Sequence, residues 1–199
     1  MRILAIGASP GRINARGGDY TDLIETMLHS ALKGVTVVMI NRGVSGELAA
    51  NAATRMKNEV ALDEPDLVLW QVGTNDALAY VGADEFAATL KGQIDWLKAH
   101  KVDVVLVGLQ FAPPMLRDAH YIKIRETLRN VAAQEKVIVV RFFEAMQIID
   151  AAKHEGVAPV ADEFERSEAG YNCLAQYVAR AITLGAFAKN MKAPPSAPK

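Results

Sequence analysis

The sequence predicts an α/β protein built on an open parallel sheet wrapped by helices. Two observations carry that reading. Five short runs of aliphatic and β-branched residues are apolar throughout rather than alternating, as in strands covered on both faces. Between them stand longer segments with apolar residues at three-four spacing, the stripe that a packed helix needs. Regular strand–helix alternation then places neighbouring strands parallel.

Taken in order, strands are expected at "RILAIG" (2–7), "VTVVMIN" (35–41), "DLVLWQV" (66–72), "VDVVLVGL" (102–109) and "KVIVVRF" (136–142). Helices are expected in "YTDLIETMLHSAL", "ELAANAATRMKNEV", "EFAATLKGQIDWLKAH" and "IKIRETLRNVAAQE", each between two strands. One more near 143–154 and a last over 168–189 close the pattern. The 199 residues suit one domain with a real core. With no internal repeat in view, residues 1–190 are expected to form that single domain. "MKAPPSAPK" (191–199), rich in Pro, Ala and Lys, is expected to be a flexible tail.

Composition excludes several functions. A formal net charge of −1 and the lack of a basic stripe argue against nucleic-acid binding. Cys173 is the only cysteine, which rules out an intrachain disulfide and a cysteine-built zinc site; it is expected on the buried face of the last helix. No His/Cys/Asp/Glu cluster has metal-ligand spacing, and neither a P-loop nor G-x-G-x-x-G occurs, so no metal and no cofactor are expected. No apolar run reaches the ~18 residues of a membrane span. "MRILAIG" enters a strand without a signal-type core, so the sequence as written reads as cytoplasmic. A periplasmic or secreted location would apply if a signal peptide had been removed.

In an open parallel sheet, ligands bind outside the carboxyl ends of the strands. The loops that matter are 7–18, 41–47, 73–83 and 109–117, joined by the stretch before the last helix. "GASPGRINARGG" is a Gly/Pro-rich turn in which Ser9 is either a capping residue or a nucleophile. "NRGVSGE" places Gly43 and Gly46 around a tight loop, with Ser45 and Glu47 resembling a helix start. In "GTND", Gly73 turns the chain and Asn75 or Asp76 can bond loop backbone. Each is weak alone. Together they set a hydroxyl after strand one and donors after strands two and three. The N–H groups of Ser9 and Gly46 and the side-chain amide of Asn75 are candidates to stabilise a tetrahedral oxyanion. This arrangement, with donors on three separate loops, differs from the nucleophile elbow of α/β-hydrolases.

With these residues in hand, the chain resembles the SGNH (GDSL-type) hydrolase superfamily, from "ILAIGAS" through "GVSGE" and "PDLVLWQVGTND" to "DEFERSEAGY". The resemblance implies a flavodoxin-like three-layer α/β/α sandwich with a five-stranded parallel sheet. It also implies hydrolysis of esters, thioesters or acetyl groups on carbohydrates, so the expected partner is a small ester or an acetylated carbohydrate. Carried over, Ser9 is the nucleophile, Gly46 and Asn75 are oxyanion donors, and Asp162 is the acid of an Asp-x-x-His motif. "WQVGTN" and "LQFAPPML" look closest to bacterial members, many of which are exported.

Two departures stand out. The family's Gly-Asp-Ser is Gly7-Ala8-Ser9, and the histidine slot holds Glu165. Imidazole accepts and returns a proton near neutral pH, whereas a carboxylate with a pKa near ~4.3 is a far poorer base. The expectation is a weak or divergent esterase, with a pseudoenzyme that binds acyl or glycan ligands as the alternative. Of the four histidines, His29 and His100 read as surface residues. His120, after the fourth strand, and His154, near the end of a helix, lack the spacing of a known base. A flavodoxin-like FMN binder is a third reading, prompted by "GASPGRI" alone, and it leaves "GVSGE" and "GTND" without a task.

Overall fold

The computed structural model describes residues 1–8, 20–153 and 167–190. Among them run β1 (Arg2–Gly7), α1 (Tyr20–Ala31), β2 (Val38–Gly43), α2 (Ala49–Asp63), β3 (Leu67–Gln71), α3 (Thr74–Leu78), α4 (Ala83–Ala99) and β4 (Asp103–Val107). A 3₁₀ turn (Pro113–Arg117), α5 (Ala119–Gln134), β5 (Ile138–Val140), α6 (Phe142–Lys153) and α7 (Glu168–Asn190) follow. The five strands form one parallel sheet in the order β2-β1-β3-β4-β5. This is the expected α/β class.

The order explains which strands are buried. β1 and β3 lie inside the sheet, and Ile3, Leu4, Val68 and Trp70 are fully buried. Helices cover both faces of these strands: α1 packs on α7, while α2, α4 and α5 pack in a row. Right-handed crossovers account for that split, because the chain reverses its direction across the sheet after β2.

The two outer strands differ from the continuously buried runs the sequence suggested. β2 begins at Val38, and each of its residues is exposed or half-buried. The preceding residues bond elsewhere: the Val37 N–H donates to Nε2 of His29 at 3.1 Å, and the amino terminus donates to the Thr36 carbonyl. β5 has only three residues, because the chain turns at Arg141 into α6. An edge strand has one unpaired side, so a fully apolar run does not guarantee full burial there.

Chain order reverses at β1: β2 lies on one side of it and β3 on the other. That switch opens a crevice at the carboxyl ends of β1 and β3, the usual ligand site of such a sheet. Gly7 closes β1 with φ +94°, and a Cβ there would stand 2.1 Å from the Gln71 carbonyl oxygen. Only glycine lets the two strand ends approach this closely.

Cys173 is half-buried on α7, and burial pushes its thiol pKa up. His29 and His100 are exposed, as expected. Among the described residues, no helix is long and apolar enough to cross a membrane. The stretch 191–199 lies outside the described residues.

Candidate active site

Four loops at the carboxyl ends of the strands are stitched together by hydrogen bonds. The Ala8 N–H donates to the Gln71 carbonyl at 3.0 Å, and the Val44 N–H donates to the Gly7 carbonyl at 3.0 Å. The Gln110 N–H donates to Oγ1 of Thr74 at 2.9 Å, tying the β4 loop to α3. The chain ends of β1, β2, β3 and β4 are thus one connected rim.

Gly46 and Asn75 meet on that rim. Nδ2 of Asn75 donates to the Glu47 carbonyl at 3.0 Å, which brings the amide beside the residue that follows Gly46. A primary amide has two N–H bonds, so one holds the β2 loop and the second has no partner among the described residues. Asn75 is half-buried and Gly46 is exposed, with φ +78° and open space where a Cβ would stand. Both groups remain reachable by a ligand.

The start of α2 differs from the reading of Ser45 as its cap. The helix begins at Ala49, and neither Ser45 nor the N-cap Leu48 supplies a side-chain cap. Oδ1 of Asp76, from α3, accepts the Ala49 N–H at 2.9 Å instead. An acceptor at the positive end of a helix satisfies one of its orphan donors. Asp76 therefore caps α2 from α3, a tertiary contact that local sequence does not reveal.

Glu47, which with Ser45 resembled a helix start, has a different role. It is buried, and both of its oxygens bond Arg55: Nε to Oε1 at 2.6 Å and Nη2 to Oε2 at 2.8 Å. Arg55 also reaches the Arg42 carbonyl and Glu59. Its hydrogen bonds to Glu47, above all, raise the Arg55 pKa. The planar guanidinium fork suits this bidentate grip. Arg55 was missed in the sequence because its partner lies eight residues away, outside any short pattern.

Asp76 is 1% exposed, and its Oδ2 is buried with no hydrogen-bond partner among the described residues. Burial, first of all, raises its pKa from 3.8, and N–H donors including that of Ala49 oppose the shift. A raised native pKa means that folding favours the protonated acid. This stabilisation is full at pH below the ordinary carboxyl value and is lost as pH rises through the native pKa. Asp76→Asn keeps an acceptor for Ala49 and cannot ionise. Relative to wild type, its stability is expected to increase as pH rises from about 4 towards 7. Urea unfolding of both proteins across that range checks the sign; parallel pH curves would contradict it.

Beyond α3, Tyr80 stacks on His120 with ring centroids 5.1 Å apart, and its hydroxyl donates to Oδ2 of Asp118 at 3.2 Å. Asp118 caps α5 by accepting the Tyr121 N–H at 2.8 Å. That bond, above all, lowers its pKa. His120 sits in the first turn of α5, half-buried, with Nε2 buried and unpartnered. Ser9, His154, Asp162 and Glu165 lie outside the described residues. Among the described residues, no cluster of three or more His, Cys, Asp or Glu could hold a metal.

Comparison with known proteins agrees with this fold and with the sequence resemblance. The model of the Non-GDSL lipase-like family matches residues 1–188, and the chain belongs to that family of SGNH-type hydrolases. It is 28% identical over 139 residues to Esterase TesA of Pseudomonas aeruginosa, covering 70% of this chain and 67% of the relative. A lipase/acylhydrolase from Enterococcus faecalis has a TM-score of 0.72 at 22% identity, covering 93% of this chain and 97% of the other. The acetyl xylan esterase AlAXEase has a TM-score of 0.75 at 18% identity, covering 92% of this chain and all of the other (100%). At such identities the two structures show a shared fold.

Proposed function

We propose that this protein is a serine ester hydrolase acting on short acyl esters or acetylated carbohydrates. In this reading, Oγ of Ser9 attacks the ester carbonyl and its proton passes to the acid–base segment that holds Asp162 and Glu165. The tetrahedral oxyanion takes hydrogen bonds from the Gly46 N–H and from the second N–H of Asn75. Collapse expels the alcohol, which receives the proton, and leaves an acyl-serine. Water then attacks the acyl-serine with the same proton route, freeing the acid and Ser9.

The observation that carries the reading is the bond from Asn75 Nδ2 to the Glu47 carbonyl. It joins two of the three loops that the reaction needs. Further support comes from the family match and from Ala8, the residue after β1, which directly precedes Ser9 in the chain.

Ser9→Ala removes the attacking oxygen and is expected to abolish release of p-nitrophenol from p-nitrophenyl acetate. Steady-state assay of the two proteins at equal folded concentration checks this; equal rates would refute the reading. Glu165 in the histidine slot favours a second reading, a protein that binds acyl or glycan ligands without turnover. It predicts that native protein binds such ligands with Ser9-independent affinity and no hydrolysis.

A further inference from the structure

We propose that the groove along the open side of β5 binds a single-chain fatty acid, its alkyl chain on the strand edge and its carboxylate on Arg141 and Arg180. This site is separate from the rim that carries Gly46 and Asn75, and it does not depend on the hydrolase reading.

β5 is the last strand of the sheet, so among the described residues its outer side has no neighbouring strand. Stripes of α6 and α7 flank that side and enclose a groove of about 470 Å³. That volume falls within the range of small-ligand pockets, roughly 300–1,000 Å³. Ile138, Val139, Ile148, Tyr177 and Leu184 give it an apolar lining. Ile148 and Leu184 are 71% and 60% exposed, so apolar surface on both walls is uncovered.

The charges in the groove are unbalanced. Its one acid, Glu144, is held by Arg125 at 2.7 Å. Arg141 and Arg180 line the same groove and have no ion-pair partner among the described residues. The positions are polarised as well. Gly185 lies against Ile138 at the start of β5, which puts the neighbouring Leu184 at that end. Arg141 follows the last residue of the strand, and Arg180 stands one helical turn before Leu184. An alkyl chain fits the Ile138 end, and a carboxylate fits the guanidinium forks.

Charge complementarity also argues against two other occupants. The side chains of the stretch 191–199 include two lysines, Lys192 and Lys199, and no Asp or Glu, so they do not match two arginines. A second copy docked groove to groove would set like charges against each other across a two-fold axis.

The test uses cis-parinaric acid, whose fluorescence rises in an apolar site, and the corresponding primary alcohol as a neutral, non-hydrolysable control. The acid is expected to bind the full chain one to one. In the double variant Arg141→Gln/Arg180→Gln its affinity should fall about tenfold or more, the loss expected for charge-assisted contacts. Binding of the alcohol should not change in that variant. Ala181→Trp, which fills the groove, should remove both while leaving thermal unfolding and p-nitrophenyl acetate turnover as in wild type. Binding that survives in a protein without turnover would separate this site from the hydrolase reading. Equal affinity for acid and alcohol, an unaffected double variant, or a dimer that Leu184→Glu splits would each overturn the proposal.

Discussion

Replacing Glu165 with histidine is expected to raise turnover of a short p-nitrophenyl ester at pH 7.5 by about a hundredfold or more, the low end of what a positioned general base contributes. The reason lies in proton affinity. Serine gives up its proton only to a group that can hold it at neutral pH and hand it on to the leaving alcohol. Imidazole, with a pKa near ~6.5, does both; a carboxylate near ~4.3 holds the proton too weakly. Raising that carboxylate's pKa by burial helps only up to the working pH, because above it the group already carries a proton and accepts no other. In a well-studied serine hydrolase, loss of the base alone lowers turnover about a million-fold, and oxyanion donors with binding retain ~10³–10⁴ over water. The native chain keeps the candidate donors Gly46 and Asn75, so a residual rate of that smaller kind is the baseline. In Glu165→His, the rate should climb with pH through an apparent pKa near ~7, and a further Ser9→Ala should return it to baseline. A native protein already as fast as an ordinary serine esterase, or a histidine variant no faster than native, would defeat the argument.

The sheet was legible because burial on two faces leaves a mark in each strand separately. The runs around Leu4, Val68 and Leu106 are apolar throughout, and all three residues are fully buried. The edges were less legible. "VTVVMIN" looks as apolar as an inner strand, yet its first residues bond to His29 and the amino terminus, and the strand starts only at Val38. Strand position within a sheet is a tertiary property that a local run does not encode.

The rim divides in the same way. Gly46 and Asn75 could be picked out because glycine and an amide after successive strands suit donors at a strand end. The clamp that fixes them could not. Asp76 caps a helix 27 residues earlier in the chain, and Glu47 pairs with an arginine on the next helix. In the sequence, Ser45 and Glu47 resemble a helix start, and nothing local says that a distant carboxylate has taken over the cap.

Breaking that clamp is expected to be the most damaging change among the described residues. The Glu47 side chain is 5% exposed, and Arg55 covers both of its oxygens. Arg55→Ala would leave a buried carboxylate and the Arg42 carbonyl without their donor. Removing one partner of a buried pair costs about 3–5 kcal/mol. The lower end is expected here, because Arg55 itself is 25% exposed and water can partly replace it. Arg55→Lys should recover only part of the loss, since an ammonium cannot grip two oxygens and a carbonyl in one plane. Glu47→Gln combined with Arg55→Ala should cost less than the sum of the single changes, because the orphaned charge is gone. The effect should reach function through one residue: Gly46 precedes Glu47, and Asn75 holds the Glu47 carbonyl. If the β2 loop drifts, the donors no longer converge, and turnover of the Glu165→His protein should fall about 10²-fold, as when an oxyanion donor is lost. Urea unfolding gives the stability cycle, and rates measured where circular dichroism shows Arg55→Ala still folded give the second effect. A folded Arg55→Ala protein with unchanged turnover would mean that the rim holds its shape without the arginine, and the clamp would then serve stability alone.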